Sequence, residues 1–61
     1  MFIRVTNLKA VSHDVENVVY LNSNIIKTFY QAKNYTVLIL QYGSMLVKET
    51  AEEIYTMLKG A

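Results

Sequence analysis

Hydrophobic and polar residues alternate over the first positions of the chain. In residues 2–8, FIRVTNL, Ile3 and Val5 fall on one side of an extended backbone and Arg4 falls on the other. A period of two is typical of a β-strand with one buried face. The pattern predicts a strand over residues 2–8, and the polar segment Lys9–Asn17 that follows predicts a long loop.

Four later segments are rich in β-branched, aromatic and aliphatic residues, and short polar stretches separate them. This composition favours β-structure. Strands are expected over residues 18–22, 25–32, 35–42 and 44–49. Between two of them, Lys33-Asn34 suits a two-residue turn, which would place Phe29 opposite Leu38.

The apolar residues of the last three strands fall on both faces of the predicted sheet. A two-residue turn at Gly43-Ser44 would place Leu40 opposite Val47, and one face would then be uniformly apolar. The second face would carry these residues: Ile26, Tyr30, Val37, Ile39 and Leu46. A chain of 61 residues has little material to cover both faces, so we expect this second set to mediate self-association. The alternative is that the first strand folds across the second face as a small barrel.

The segment Thr50–Glu53, TAEE, has the pattern of a capping box. The Thr50 hydroxyl can accept a hydrogen bond from the Glu53 amide, while the Glu53 carboxylate accepts one from the Thr50 amide. Apolar residues then recur at helical spacing: Ala51, Ile54, Tyr55 and Leu58. The pattern predicts a helix over residues 51–59. Because so short a helix is marginal in isolation, we expect it to dock on the uniformly apolar face.

Composition narrows the class of protein. Hydrophobic residues make up 52% of the chain and charged residues 18%, the balance of a folded chain rather than a disordered one. The net charge is +1 and there is no cysteine, so neither a basic nucleic-acid footprint nor a disulfide or thiolate metal site is expected. The apolar runs are far shorter than the ~20 residues of a membrane-spanning helix, and no signal peptide is recognised. We expect a single small domain, residues 1–61, in a soluble cytoplasmic protein.

Residues that could carry chemistry are few. His13-Asp14, with Glu16 nearby, is the cluster that a catalytic or metal interpretation could use, and no second histidine or cysteine completes a coordination shell. Ser12 adjoins the sole histidine but lacks the surroundings of a nucleophile elbow. The sequence therefore predicts a protein that is not an enzyme, with no catalytic, cofactor-binding or metal-ligating residue.

Several short motifs occur in a characteristic order along the chain. IRVTNL at Ile3–Leu8 is followed by Leu21-Asn22, by IIKT at Ile25–Thr28 and by VKETAEEI at Val47–Ile54. In this order the motifs resemble the FlbD/SwrD-like family of small flagellar proteins, and the resemblance covers most of the chain. It implies a non-enzymatic motility accessory protein that acts through protein contacts and carries no cofactor.

The predicted fold is α+β: an antiparallel meander of four or five strands followed by one C-terminal helix, assembled as a homo-oligomer. The predicted function is interaction or scaffolding with an unidentified protein partner. One alternative is a small nucleic-acid-binding regulator, because the β-meander also looks somewhat like the β-rich half of LytTR-type DNA-binding domains. In that alternative, the bases of the nucleic acid would stack on tyrosines and lysines would contact its phosphates. The residues concerned are Tyr20, Tyr30, Tyr35, Tyr42, Lys27 and Lys33. Another alternative is a structural subunit of a phage or mobile element.

Overall fold

A computed structural model describes residues 1–8 and 17–60. Within them, five strands and one helix follow one another: β1 Phe2–Thr6, β2 Val18–Asn22, β3 Ile26–Gln31, β4 Thr36–Leu40, β5 Gly43–Val47 and α1 Ala51–Lys59. A short 3-10 turn, Ser23–Ile25, separates β2 from β3. The predicted α+β class, with antiparallel strands followed by a C-terminal helix, is confirmed. Every strand except β2 is shorter than the sequence predicts.

The strands form two antiparallel sheets rather than the single predicted meander. β1 pairs with β2, from Phe2 opposite Asn22 to Thr6 opposite Val18. β3, β4 and β5 form the second sheet in that order. The Asn22 side chain accepts a hydrogen bond from the Asn24 amide at 3.0 Å and caps the 3-10 turn. This local turn redirects the chain, and β3 therefore leaves the first sheet.

The two sheets meet where the chain continues from β1 past the end of β5. An isolated bridge joins Asn7 to Val47, and the Lys48 amide donates to the Thr6 carbonyl at 2.9 Å. The strands consequently surround a common interior. β1 belongs to the first sheet, and the segment that continues from it also contacts the end of β5 in the second sheet. The sequence pattern does not predict this contact between the first and last strands.

A single hydrophobic core lies between the two sheets and α1. Its buried residues come from four of the strands and from the helix: Ile3, Val5, Leu21, Leu38, Val47 and Ile54. On the second sheet, half-buried residues pack around them on the same side, among them Phe29, Leu40 and Met45. We call this side of the β3–β4–β5 sheet the core face. Both the helix and the β1–β2 hairpin cover it, so the helix docks on the expected face but does not cover it alone.

The turn between β4 and β5 lies two residues earlier than predicted. It is formed by Gln41-Tyr42, and Leu40 pairs with Gly43 rather than with Val47. Gly43 has a φ of 159°, a conformation that other residues rarely adopt, and it begins β5 instead of forming the turn. Because the register of this pair differs from the prediction by an even number of residues, the side chains of β4 and β5 keep their predicted faces.

The pairing of β3 with β4 agrees with the prediction at one end and departs from it at the other. Phe29 lies opposite Leu38, as expected from the turn at residues 33–34. Further back along β3, a bulge at Lys27 shifts the register, and Ile26 lies opposite Leu40. The bulge places Ile26 against the core.

α1 begins at the predicted capping box. The Glu53 amide donates to the Thr50 hydroxyl at 3.1 Å, and the Thr50 amide donates to the Glu53 carboxylate at 3.1 Å. Gln31, at the end of β3, adds a second link, because its carboxamide oxygen accepts hydrogen bonds from the Ala51 amide at 2.7 Å and from the Thr36 hydroxyl at 3.2 Å. These bonds hold the start of the helix beside β3, so that its apolar stripe reaches the core.

Candidate interaction surface

The β3–β4–β5 sheet has a second face, which points away from the core. Across one row of this face, Tyr30 lies opposite Val37 and Val37 lies opposite Leu46. The Leu8 amide donates to the Leu46 carbonyl at 2.9 Å, which extends the row onto the segment that continues from β1. Ile39 lies two positions further along β4 and therefore on the same face. We call these residues, Leu8, Tyr30, Val37, Ile39 and Leu46, the outer face.

Exposure differs between the centre and the margins of the outer face. Val37 at the centre is only 8% exposed, and Ile39 and Leu46 are half-buried. Tyr30 is 55% exposed and Leu8 is 44% exposed. The central residues therefore shield one another, and the apolar side chains at the two ends of the row remain open to water. An apolar surface of this kind on a small protein is typical of an interaction site.

Most of the residues predicted to mediate self-association lie together on the outer face. Tyr30, Val37 and Leu46 share one row, and Ile39 lies beside them. The assignment of Ile26 to this face is wrong, because the bulge at Lys27 places it against the core instead. Their role in self-association stays a prediction.

Leu8 is the outer-face residue that sequence reasoning missed. It has the same alternation as Arg4 and Thr6, so the pattern indicates that it points away from the core. What the pattern does not show is that the segment after β1 runs beside β5, which brings Leu8 next to Leu46.

Glu49 fastens β1 to the segment between β5 and α1. Its carboxylate oxygens accept hydrogen bonds from the Thr6 amide at 2.7 Å and from the Thr6 hydroxyl at 2.9 Å. Partial burial raises the pKa of the Glu49 carboxyl, but hydrogen bonds from Thr6 and from its own amide, together with the Arg4 charge, lower it more, so its pKa lies below the ordinary 4.5. The charged carboxylate thus stabilises the junction that brings Leu8 to the outer face.

An open groove of about 560 Å³ lies between Arg4 and the first turns of α1. Three carboxylates line it: Glu49, Glu52 and Glu53. Glu49 binds Thr6 and Glu53 closes the capping box, so two of them have structural partners. In residues 1–8 and 17–60, no group of three or more acidic, histidine or cysteine side chains is arranged to hold a metal ion. We assign the groove a structural role.

The tyrosines considered for nucleic-acid stacking are spread over different parts of the fold. Tyr20 lies on β2 in the first sheet, Tyr30 lies on β3 in the second, and Tyr42 lies in the turn before β5. Tyr35 immediately precedes β4. Tyr20 and Tyr30 are thus on the outermost strands of different sheets, which does not favour one continuous stacking platform.

The cluster considered for catalysis or metal binding, His13-Asp14 with Glu16, lies outside the described residues, as does Ser12. The same holds for the predicted loop up to residue 16. In the part of the chain that the structure describes, no helix has the length and hydrophobicity needed to cross a membrane. Comparisons of the chain with models of protein families, with curated proteins and with solved structures find no match.

Proposed function

We propose that this protein is a non-enzymatic accessory protein that self-associates through the outer face. The observation that supports the proposal is the placement of Tyr30, Val37, Leu46 and Leu8 in one apolar row on the side of the sheet away from the core. The core face is already covered by the β1–β2 hairpin and α1. Within residues 1–8 and 17–60, the outer face is therefore the apolar sheet surface that remains for contact with another molecule.

Burial of the margins of this face would supply the free energy of association. Complete burial of a leucine or isoleucine side chain is worth about 1.5–3 kcal/mol relative to full exposure. Leu8 and Tyr30 are roughly half exposed, so each still has apolar area to remove from water. In a symmetric contact every such residue contributes twice, once from each copy. Val37 is already buried, so it has little further apolar area to remove from water and mainly shapes the centre of the contact surface.

The test is the mass of the chain in solution as a function of concentration. The mass of the wild-type protein should exceed the 7.0 kDa of one chain, and Tyr30→Asp should lower that mass by placing a charge in the outer-face contact. The expected rise in the dissociation constant is about tenfold or more, which corresponds to ~1.4 kcal/mol. Tyr42→Asp is the matched control, because Tyr42 is 92% exposed in the turn between β4 and β5 and is not one of the outer-face residues.

Two outcomes would contradict the proposal. One is a monomeric wild-type mass at every concentration reached. The other is an oligomer that Tyr30→Asp leaves intact while circular dichroism shows the variant to be folded. Tyr30 is already 55% exposed, so the variant should fold and a negative result can be interpreted.

The finer assignment, to a motility accessory role, is supported by the resemblance of Ile3–Leu8, Leu21–Thr28 and Val47–Ile54 to the FlbD/SwrD-like family. A location of the gene among flagellar genes would support it, and a location among phage or mobile-element genes would favour the structural-subunit alternative.

A further inference from the structure

The outermost strand of the first sheet, β2, has one edge without a strand partner among the described residues. Two hydrogen bonds at the ends of the β1–β2 pair show which backbone groups of β2 point towards β1. The Asn7 amide donates to the Asn17 carbonyl, and the Ser23 amide donates to the Met1 carbonyl, both at 2.8 Å. In a regular antiparallel pair the bonded positions alternate. The backbone groups of residues 19 and 21 therefore face β1, and those of Tyr20, at the centre of β2, point away from it.

The other outermost strand, β3, is protected against pairing. A bulge at Lys27 interrupts its ladder and places a positive charge there. The end of β3 is also engaged by α1, through the bond from the Ala51 amide to Gln31. Bulges, lysines and covering helices are the usual features that prevent edge strands from pairing with other chains. In the part of the chain that the structure describes, β2 has none of them: its sequence, VVYLN, contains no charge, glycine or proline, and its register is regular.

The sequence of β2 is suited to pairing with itself. An antiparallel pair of two copies, centred on Tyr20, would place Tyr20 opposite Tyr20 and Val19 opposite Leu21. On the outside, two tyrosines would form a cross-strand aromatic pair. On the inside, Val19, which is half-buried beside the core, would be covered by the buried-side residue Leu21 of the other copy. No like charges would meet along the two strands.

We propose that the free edge of β2 pairs antiparallel with β2 of a second copy of this chain, about a two-fold axis at Tyr20. Each Tyr20 amide donates to the Tyr20 carbonyl of the other copy, and each Asn22 amide donates to the Val18 carbonyl. The two β1–β2 hairpins then form one continuous four-stranded sheet. This contact goes beyond the proposed function, because it uses the first sheet and leaves the outer face of the second sheet free.

Amide hydrogen exchange, measured residue by residue by NMR at several protein concentrations, tests the pairing. The amides of Val19 and Leu21 bond to β1 and should be protected at every concentration. The Tyr20 amide should exchange fast in dilute samples and become protected as the dimer forms. Fast exchange at Tyr20 under conditions where the mass is dimeric would overturn the proposal. Protection of Tyr20 that does not change with dilution would also overturn it, since the edge would then be covered within one chain.

Two variants separate this contact from the outer face. Tyr20→Lys places like charges opposite each other at the axis, and it should raise the dissociation constant of the β2-paired dimer about tenfold. Protection at residue 20 should then begin only at a correspondingly higher protein concentration. Tyr20 is 64% exposed, so the fold should persist, which unchanged protection at Leu21 would show. Tyr30→Asp should leave the protection of Tyr20 intact even if it removes association through the outer face. Loss of protection at the amide of residue 20 in Tyr30→Asp would overturn the β2 pairing without deciding the proposed function. Undiminished protection of the same amide in Tyr20→Lys would also overturn it.

Discussion

At the scale of single residues, Glu49 connects parts of the chain that are distant in sequence. It accepts hydrogen bonds from the backbone and the side chain of Thr6, and it immediately precedes the helix cap at Thr50. Arg4 lies close enough for its charge to stabilise the carboxylate. The carboxylate therefore holds β1, the end of β5 and the start of α1 in one arrangement, and its charged form is the one that the fold favours.

Stability should depend on pH through this carboxylate. Its pKa in the folded chain lies below the ordinary 4.5, so its stabilising effect is complete above that value and is lost as the pH falls through the folded-state pKa. Glu49→Gln removes the charge but keeps the size and one acceptor oxygen. Between about pH 6 and about pH 3, the urea midpoint of the wild-type protein should fall more than that of the variant.

The comparison with Glu49→Gln isolates this residue from its charged neighbours. Arg4 and Lys48 lie around the same site and are the same in both proteins. Glu53 lies there as well and is present in both proteins, so its effect cancels in the difference. Parallel pH curves for the two proteins would show that the bonds to Thr6 do not depend on the charge of Glu49.

Single residues also show which placements can be predicted from sequence. Val37 and Ile39 lie on the predicted face, because strict alternation along one strand fixes the face. Ile26 does not lie on the predicted face, because the bulge at Lys27 adds one residue and reverses the alternation for the residues that precede it. No residue type in IIKT signals a bulge.

At the scale of elements, Gln31 joins the β3–β4 hairpin to α1. Its carboxamide oxygen accepts from the Ala51 amide in the first turn of the helix and from the hydroxyl of Thr36. The carboxamide nitrogen donates to the carbonyls of Ala32 and Tyr35, at 2.9 and 3.0 Å, in the turn of the hairpin. The side chain of Gln31 in β3 thus bonds to groups of β4, of the turn between the two strands and of the helix.

Removal of Gln31 should therefore affect Thr36, whose side chain is fully buried. Gln31→Ala leaves that hydroxyl without its acceptor and should cost about 1–3 kcal/mol of unfolding free energy, measured in urea. In the Thr36→Val background the hydroxyl is absent, so the same change should cost less, by roughly 1 kcal/mol. Additive effects of the two substitutions would show that the Gln31–Thr36 bond does not stabilise the fold.

The elements differ in how well the sequence predicts them. α1 spans the residues that the capping box and the apolar stripe indicate, because a helix is specified by contacts within a few residues. The β4–β5 turn is misplaced because Gly43-Ser44 is a good local turn signal, whereas the pairing of two strands also depends on what they pack against. Gln41-Tyr42, which forms the turn, contains no typical turn residue.

At the scale of the whole molecule, both sheets and the helix share one core, and Ile54 is the helix residue at its centre. Ile54 is fully buried, and it belongs to the same cluster as residues of β1, β2, β4 and β5. A helix of nine residues contributes a single fully buried side chain, so the attachment of α1 depends strongly on that contact.

Ile54→Val should lower stability measurably for so small a change. The loss of one buried methylene costs about 0.5–1.5 kcal/mol. In a domain of this size each kcal/mol lowers the melting temperature by roughly 4–8 °C. Tyr55→Phe, at the neighbouring and 59% exposed position, is the control and should change the melting temperature little. Equal shifts in the two variants, measured by thermal circular dichroism, would contradict the central place of Ile54 in the core.

The division into two sheets is the part of the architecture that the sequence predicts least. It depends on the 3-10 turn capped by Asn22 and on contacts between β1 and β5. The Ser-Asn pair after β2 indicates a turn or bulge but not the direction in which the chain leaves it. Pairing between distant strands leaves no periodic signal in either strand, so it could be read only from the folded chain.

The junction between Thr6 and Glu49 joins residues 43 positions apart, which bears on how the chain folds as it is made. The β1–β2 hairpin emerges from the ribosome before the later elements, and its apolar residues Ile3, Val5 and Leu21 lack the rest of the core until β4, β5 and α1 follow. Closing a loop of that length costs entropy before the contacts form. The apolar side of the nascent hairpin therefore stays uncovered until β4, β5 and α1 have been synthesised.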